Sequence, residues 1–173
     1  MEPFEESGLR FTPPSSACFR FADCETYRRM NGRQLSEMDV GYWDEPHQAI
    51  VLLELKDYAS REPARALVPK LVAKGRDCLV MLHAVWTELG DTARDLRHEM
   101  PEAFHMQQKL RLFFVLKAGA EGISKEALTP MRGQLENAIK AYAELLGIRS
   151  LVVLLLDHEG AIRRGLPVSV VSE

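Results

Sequence analysis

The stretch from residue 35 to residue 57 constrains the fold most, because it reads as two strands joined by a tight turn. Its second half starts with five apolar residues and continues into the charged Glu54 and Lys56 without a turn residue. Residues 45–48 separate the two halves. They include Pro46, which cannot lie inside a central strand ladder, so they form a natural hairpin loop. The stretch therefore predicts an antiparallel hairpin that ends in a carboxylate and an ammonium.

The length of this loop sets the pairing of the two strands. A four-residue loop places Asp39 directly opposite Glu54, on one face of the sheet, with Cβ atoms about 5 Å apart. Alternation puts Lys56 on the same face as Glu54, roughly 7 Å further along the strand. Two carboxylates this close repel each other, so one takes up a proton unless a cation lies between them. A register shifted by one residue would place Asp39 opposite Leu53 instead, so the prediction depends on the loop length.

Paired carboxylates beside an ammonium are typical of a site for a hard divalent ion. Mg²⁺, or Mn²⁺ in its place, favours one or two carboxylates together with water and the phosphate oxygens of a substrate. An ammonium at Lys56 can hold a water or hydroxide near the metal and offset the negative charge of a phosphorane-like transition state. The residues therefore indicate an oxygen-ligand site for a hard divalent ion with an ammonium beside it. The alternative is that Glu54 and Lys56 form an ion pair on an edge strand.

Asp39, fourteen intervening residues and then Glu54-Leu55-Lys56 on an apolar strand resemble the PD-(D/E)xK nuclease superfamily. Met38 stands where that family carries its proline. The resemblance implies an α-β-β-β-α-β core of the restriction-endonuclease-like type, with the Asp on the second core strand and the Glu on the third. It also implies that Asp39 and Glu54 ligate the metal with the main-chain carbonyl of Leu55, that Lys56 joins them in catalysis, and that DNA is the substrate.

The same family usually has a helix before its first core strand, and a Glu on that helix often joins the metal site. Residues 1–15 offer Glu2, Glu5 and Glu6 for this role, and we take Glu6 as the candidate ligand. The segment is too short to form a stable isolated helix. The alternative interpretation of Glu6 is a solvated acid near the terminus.

A third strand is predicted before the hairpin, because the run of residues 16–29 alternates and ends at Asn31-Gly32, a strong hairpin signal. It would pair with the Asp39 strand and complete an antiparallel meander over residues 16–57. Several arginines give this end a basic character that can contact phosphate, although a solvated rim is the alternative. These candidate nucleic-acid-binding residues are Arg20, Arg28, Arg29 and Arg33.

The rest of the chain alternates helical and strand patterns. One long kinked helix or two successive helices are predicted after Pro63, ending at Gly90. A strand at 110–117, a helix that begins at Thr129-Pro130 and a second apolar strand at 150–156 follow in that order. That last strand is apolar on both faces, which predicts a central, parallel position, and a short edge strand is expected at 168–171. We therefore expect one α/β domain over residues 1–173, built on a mixed central sheet.

Two other charged groups have structural explanations. Lys70, Lys74 and Arg76 form a small basic patch, and a solvated helix face explains it better than contact with nucleic acid. Asp157-His158-Glu159-Gly160 offers three metal-ligating side chains in succession, but neighbours in a turn at the end of a strand point in different directions. We therefore expect a turn there.

Composition bounds the class of protein. The three cysteines suggest reduced thiols, no apolar run is long enough for a membrane span and no signal peptide is evident, so we expect a cytoplasmic protein. The net charge of −3 is unfavourable for a protein that grips DNA by its phosphates alone. Two alternatives therefore stay open, a non-catalytic binding or assembly subunit of the same fold and an unrelated α/β domain. A nuclease of this type can also need a protein partner or form a homodimer.

Overall fold

The computed structural model describes residues 1–14, 17–30, 35–58, 64–117 and 124–171. Strands, helices and short 3₁₀ turns alternate along the chain. In chain order the elements are β1 (Phe4–Glu6), β2 (Leu9–Phe11), β3 (Cys18–Phe19), α1 (Glu25–Met30), β4 (Val40–Asp44), β5 (Ala49–Asp57), α2 (Ala64–Thr87), α3 (Asp91–Glu99), β6 (Lys109–Lys117), α4 (Lys125–Leu145), β7 (Leu151–Asp157), α5 (His158–Arg163) and β8 (Val168–Val170).

A five-stranded mixed sheet forms the centre of the fold, in the order β3-β4-β5-β6-β7. The first three strands form an antiparallel meander, whereas β5, β6 and β7 run parallel to one another. Parallel neighbours need a crossover, and α2 and α4 are the long helices that provide the two crossovers. The α/β class and the mixed sheet with its meander are therefore confirmed.

Both faces of the central sheet are covered, which is why β5 is apolar along most of its length. One face carries Ile50 and Leu52 and packs under α2 and α4. The other carries Val51 and Leu53 and packs against a small antiparallel sheet in the order β1-β2-β8. Across the ranges described, no helix has the length and apolar composition to cross a bilayer, and the cysteines form no disulfide.

The predicted strand over residues 16–29 is largely wrong. Of the described residues in this range, only Cys18–Phe19 form a strand, and a 3₁₀ turn at Phe21–Asp23 and helix α1 follow it. The start of α1 is stabilised from far along the chain, because the Glu99 carboxylate accepts the backbone N–H groups of Glu25 and Thr26. Such a long-range cap leaves no local sequence signal. The Asn31-Gly32 turn lies outside the described residues.

Several boundaries in the second half differ from those expected. Helix α2 continues through Gly75, and α4 begins at Lys125, where the Ser124 side chain caps it, instead of at Thr129. The apolar strand β7 is parallel as predicted, but it lies at the edge of the sheet. The turn expected after it is helix α5, capped by Asp157, and β8 joins the smaller sheet. Pro63 lies outside the described residues.

Candidate functional site

The hairpin between β4 and β5 has the register that its loop length predicts. Asp44 pairs with Ala49 and Val40 pairs with Leu53, so Asp39, one residue before β4, lies opposite Glu54. The loop is a 3₁₀ turn at Glu45–His47, closed by a residue in the left-handed region.

A lysine lies between the two carboxylates. The Nζ atom of Lys74 is 2.7 and 2.8 Å from the two carboxylate oxygens of Glu54 and 3.6 Å from Oδ1 of Asp39. The other oxygen of Asp39, Oδ2, accepts the backbone N–H of Leu55 at 2.6 Å. Asp39 and Glu54 therefore share one face, and the cation between them in this structure comes from helix α2.

This position of Lys74 corrects its assignment to a solvated helix face, whereas Lys70 of the same patch is exposed as expected. Only 31% of the Lys74 side chain is exposed, and its charge is directed at the sheet. A signal was present in the sequence, because Lys74 lies on the same helical stripe as the buried Leu67, Leu71 and Cys78, at the spacing i, i+4, i+7 and i+11. A charged residue on the apolar stripe of α2, the helix that follows the charged end of β5, therefore indicates a polar site.

Three contacts from one face of α2 attach this part of the helix to the segment that leads into β4. Asp77 Oδ2 accepts the backbone N–H of Ser36 at 2.9 Å, and Cys78 Sγ lies 3.2 Å from the backbone nitrogen of Met38. The ion pair of Lys74 with Asp39 is the third contact. Residues i, i+3 and i+4 share a helix face, so these contacts fix the point at which the ammonium enters the site.

Burial dominates the electrostatics of both acids. It raises the pKa of Glu54 to about 8, with Asp39 as the second cause, and Lys74 and Lys56 only partly oppose this. Burial also raises the pKa of Asp39, although Lys74 and the Leu55 N–H lower it. Burial opposes the charge on Lys74, but the two carboxylates raise its pKa overall. The ammonium therefore stays charged, and a proton is favoured on Glu54.

The charges of this cluster add to the effect of burial on that proton. Two carboxylates and one ammonium leave one net negative charge in a site where the Glu54 side chain is 3% exposed and that of Asp39 is 12% exposed. A proton on Glu54 cancels the charge, and a divalent cation in place of the ammonium would also cancel it. With Lys74 as a stand-in cation, the pair of oxygen donors fits a hard divalent ion. Among the described residues, however, there is no group of three or more metal-ligating side chains.

The remaining predicted site residues lie around this pair. Lys56 is half-buried on the face of Glu54, as alternation requires. The Leu55 side chain is buried in the opposite core. Glu6 lies at the end of strand β1, so no helix carries it, and its side chain is exposed. It is nevertheless close enough for its charge to raise the pKa of Asp39. The metal-binding roles of these residues stay predictions.

Of the four candidate arginines, the structure brings Arg20 to the site. Its Nε donates a hydrogen bond to the backbone carbonyl of Asp39 at 3.0 Å, and its guanidinium lies 4.3 Å from the centre of the Phe4 ring. Arg28 and Arg29 are exposed on α1, where Arg29 pairs with an acid of α3 at 3.7 Å. Arg33 lies outside the described residues.

An open cavity of about 640 Å³ borders the site at Arg20. It is lined by the N-terminal segment, by β3, by residues near α1 and by Glu99. Its lining includes neither Asp39 nor Glu54, so it adjoins the carboxylate pair without containing it. Arg20 is the residue that connects the two.

Comparison of the chain with protein family models, with curated proteins and with solved structures found no match.

Proposed function

We propose that this chain is a divalent-metal-dependent phosphodiester hydrolase that acts on DNA and has a restriction-endonuclease-like fold. One observation carries the proposal. The hairpin register and helix α2 bring Asp39 and Glu54 together on one face, around a cation. Paired carboxylates that hold a cation beside a further ammonium, that of Lys56, form the donor set that Mg²⁺ or Mn²⁺ uses in phosphate chemistry.

The order of elements supports the proposal as well. Strands β3, β4 and β5 form a meander, α2 follows, and β6 returns parallel to β5. This is the β-β-β-α-β order that the resemblance implies, with Asp39 just before the second strand and Glu54 on the third. The initial helix of the family pattern has no counterpart here, since β1 and β2 occupy that part of the chain.

In this proposal Asp39 and Glu54 hold the metal, and the carbonyl of Leu55 completes the protein ligands. The bound ion supplies a Lewis acid and a water of lowered pKa. The Leu55 N–H fixes the orientation of the Asp39 carboxylate. Lys56 orients the attacking water or accepts its proton, and Arg20 contacts a phosphate of the DNA backbone. Glu6, Arg28, Arg29 and Arg33 stay candidates for the metal and the DNA surface.

The substitution Lys56→Ala tests this assignment. We expect the variant to fold and to bind Mn²⁺ in calorimetry as the wild type does, and to lose DNA cleavage by at least about 100-fold, because it lacks the group that handles the proton of the attacking water. The matched control is Lys109→Ala, at the opposite end of the parallel strands, which should cleave normally. Undiminished cleavage by Lys56→Ala would contradict the role of this lysine.

A second candidate function is a non-catalytic binding or assembly subunit with the same fold. Two observations favour it specifically. Lys74 already neutralises part of the charge between the carboxylates, and the Glu54 side chain is almost fully buried. Calorimetric titration with Mg²⁺ and Mn²⁺ near neutral pH separates the two functions. Equal absence of binding in the wild type and in Asp39→Asn would favour the subunit, in which a protein partner or a second copy supplies the activity.

A further inference from the structure

We propose that Lys74 is a built-in competitor for the metal, whose ammonium holds the two carboxylates in the metal-free protein and leaves them when a divalent ion binds. The inference rests on the proposed metal site at Asp39 and Glu54. Lys74 lies on α2, outside both the motif and the hairpin, and its ammonium stabilises the two carboxylates when no metal is bound.

The ammonium bridges both acids, with Nζ at 2.7 and 2.8 Å from the Glu54 oxygens and at 3.6 Å from Asp39 Oδ1. A metal ion that binds both carboxylates must approach the same oxygens. Two cations held at the same oxygens repel each other in a site this poorly solvated. Binding of the ion and retention of the ammonium therefore oppose one another.

The lysine side chain is free to move, whereas the two acids are held in place. Lysine carries its charge on a flexible four-carbon stem, and the Lys74 side chain is 31% exposed, so a path to solvent exists. Glu54 is 3% exposed on a strand paired on both sides. Asp39 is held through the Leu55 N–H. The ammonium is therefore the member of the cluster that gives way.

The position of helix α2 is set independently of the metal. Asp77 and Cys78 contact the backbone of Ser36 and Met38. Gly75 lets α2 pack closely on α4, since a Cβ there would lie 2.7 Å from Cδ1 of Ile139. The root of the Lys74 side chain therefore stays in place when its tip leaves, and the ammonium can return when the metal dissociates.

Calorimetric titration with Mn²⁺, after removal of bound metal by a chelator, tests the proposal. We expect Lys74→Met, which keeps most of the stem but not the charge, to bind Mn²⁺ at least tenfold more tightly than the wild type does, because the ion no longer displaces a cation. Lys74→Arg keeps the charge and should bind no more tightly than the wild type. Lys140→Met, which removes an exposed ammonium on α4, should match the wild type. If Lys74→Met does not fold, as judged by thermal unfolding, Lys74→Gln replaces it.

The outcomes separate this inference from the proposed function. Tighter Mn²⁺ binding by the neutral variant supports the competitor role, even if no variant cleaves DNA, in which case only the nuclease proposal fails. Equal or weaker binding by a folded neutral variant, with a wild type that binds Mn²⁺ and cleaves DNA, overturns the competitor role alone. Absence of Mn²⁺ binding in the wild type and in the folded neutral variant overturns both the competitor role and the proposed metal site.

Discussion

Raising the pH from 5 to 9 should destabilise the metal-free protein through its buried acid pair, above all through Glu54, although burial raises the pKa of Asp39 as well. The Glu54 carboxyl is buried beside Asp39, and this environment favours the protonated form. The folded state therefore binds the Glu54 proton more tightly than the unfolded chain does. The stability linked to this proton is complete below the unfolded pKa and is lost as the pH rises through the folded pKa.

The magnitude follows from the two pKa values. Glu54 titrates at about 8 in the folded protein against an ordinary value of 4.5, a difference of about 3.5 pH units. Each unit corresponds to about 1.4 kcal/mol, so the whole effect is about 5 kcal/mol, of which about 4 kcal/mol is lost between pH 5 and pH 9. Such a loss is large against the total stability of a typical domain, about 5–15 kcal/mol. The raised pKa of Lys74 does not alter this window, because that contribution is complete below pH 10.5.

Urea denaturation at one-unit steps of pH, in the presence of a chelator, measures the effect. The free energy of unfolding of the wild type should fall with pH over this range. Glu54→Gln removes the titrating group, so its stability should fall less steeply and should exceed that of the wild type at pH 9. Glu136→Gln, which removes a half-exposed acid on α4, is the matched control and should follow the wild type. Parallel pH profiles for the wild type and Glu54→Gln would refute the reasoning.

Two further predictions concern helices. Gly75→Ala should be about 2 kcal/mol less stable in urea denaturation than its control, Gly133→Ala. Both variants gain helix propensity, but only Gly75→Ala puts a Cβ against Ile139, because a Cβ at Gly133 has nothing within 4 Å. Equal stabilities would count against close packing of α2 on α4. Ser124→Ala should lower the free energy of unfolding by about 1 kcal/mol, since its hydroxyl caps the N–H of Ala127. Ser124→Asp should retain most of the wild-type stability. An unchanged free energy of unfolding in Ser124→Ala would argue against a helix start at this residue.

Elements with local signals were predictable from the chain. The apolar runs of β5, β6 and β7 and the stripe of α2 are repeating patterns that a short window contains. Helix α1 was not predictable, because the acid that caps it is 74 residues away in sequence. The edge position of β7 was not predictable from the sequence either, because the order of strands depends on how the crossovers pack.

The local pattern of the hairpin was enough to place Asp39 opposite Glu54, because the loop length and the alternation of apolar residues set the register of the two strands. What lies between the two acids depends on long-range packing. Lys74 reaches the pair because Asp77 and Cys78 attach helix α2 to the start of β4, across about 40 residues of chain. The charge balance of the site, and with it the raised pKa of Glu54, arises from burial and packing that no local pattern encodes.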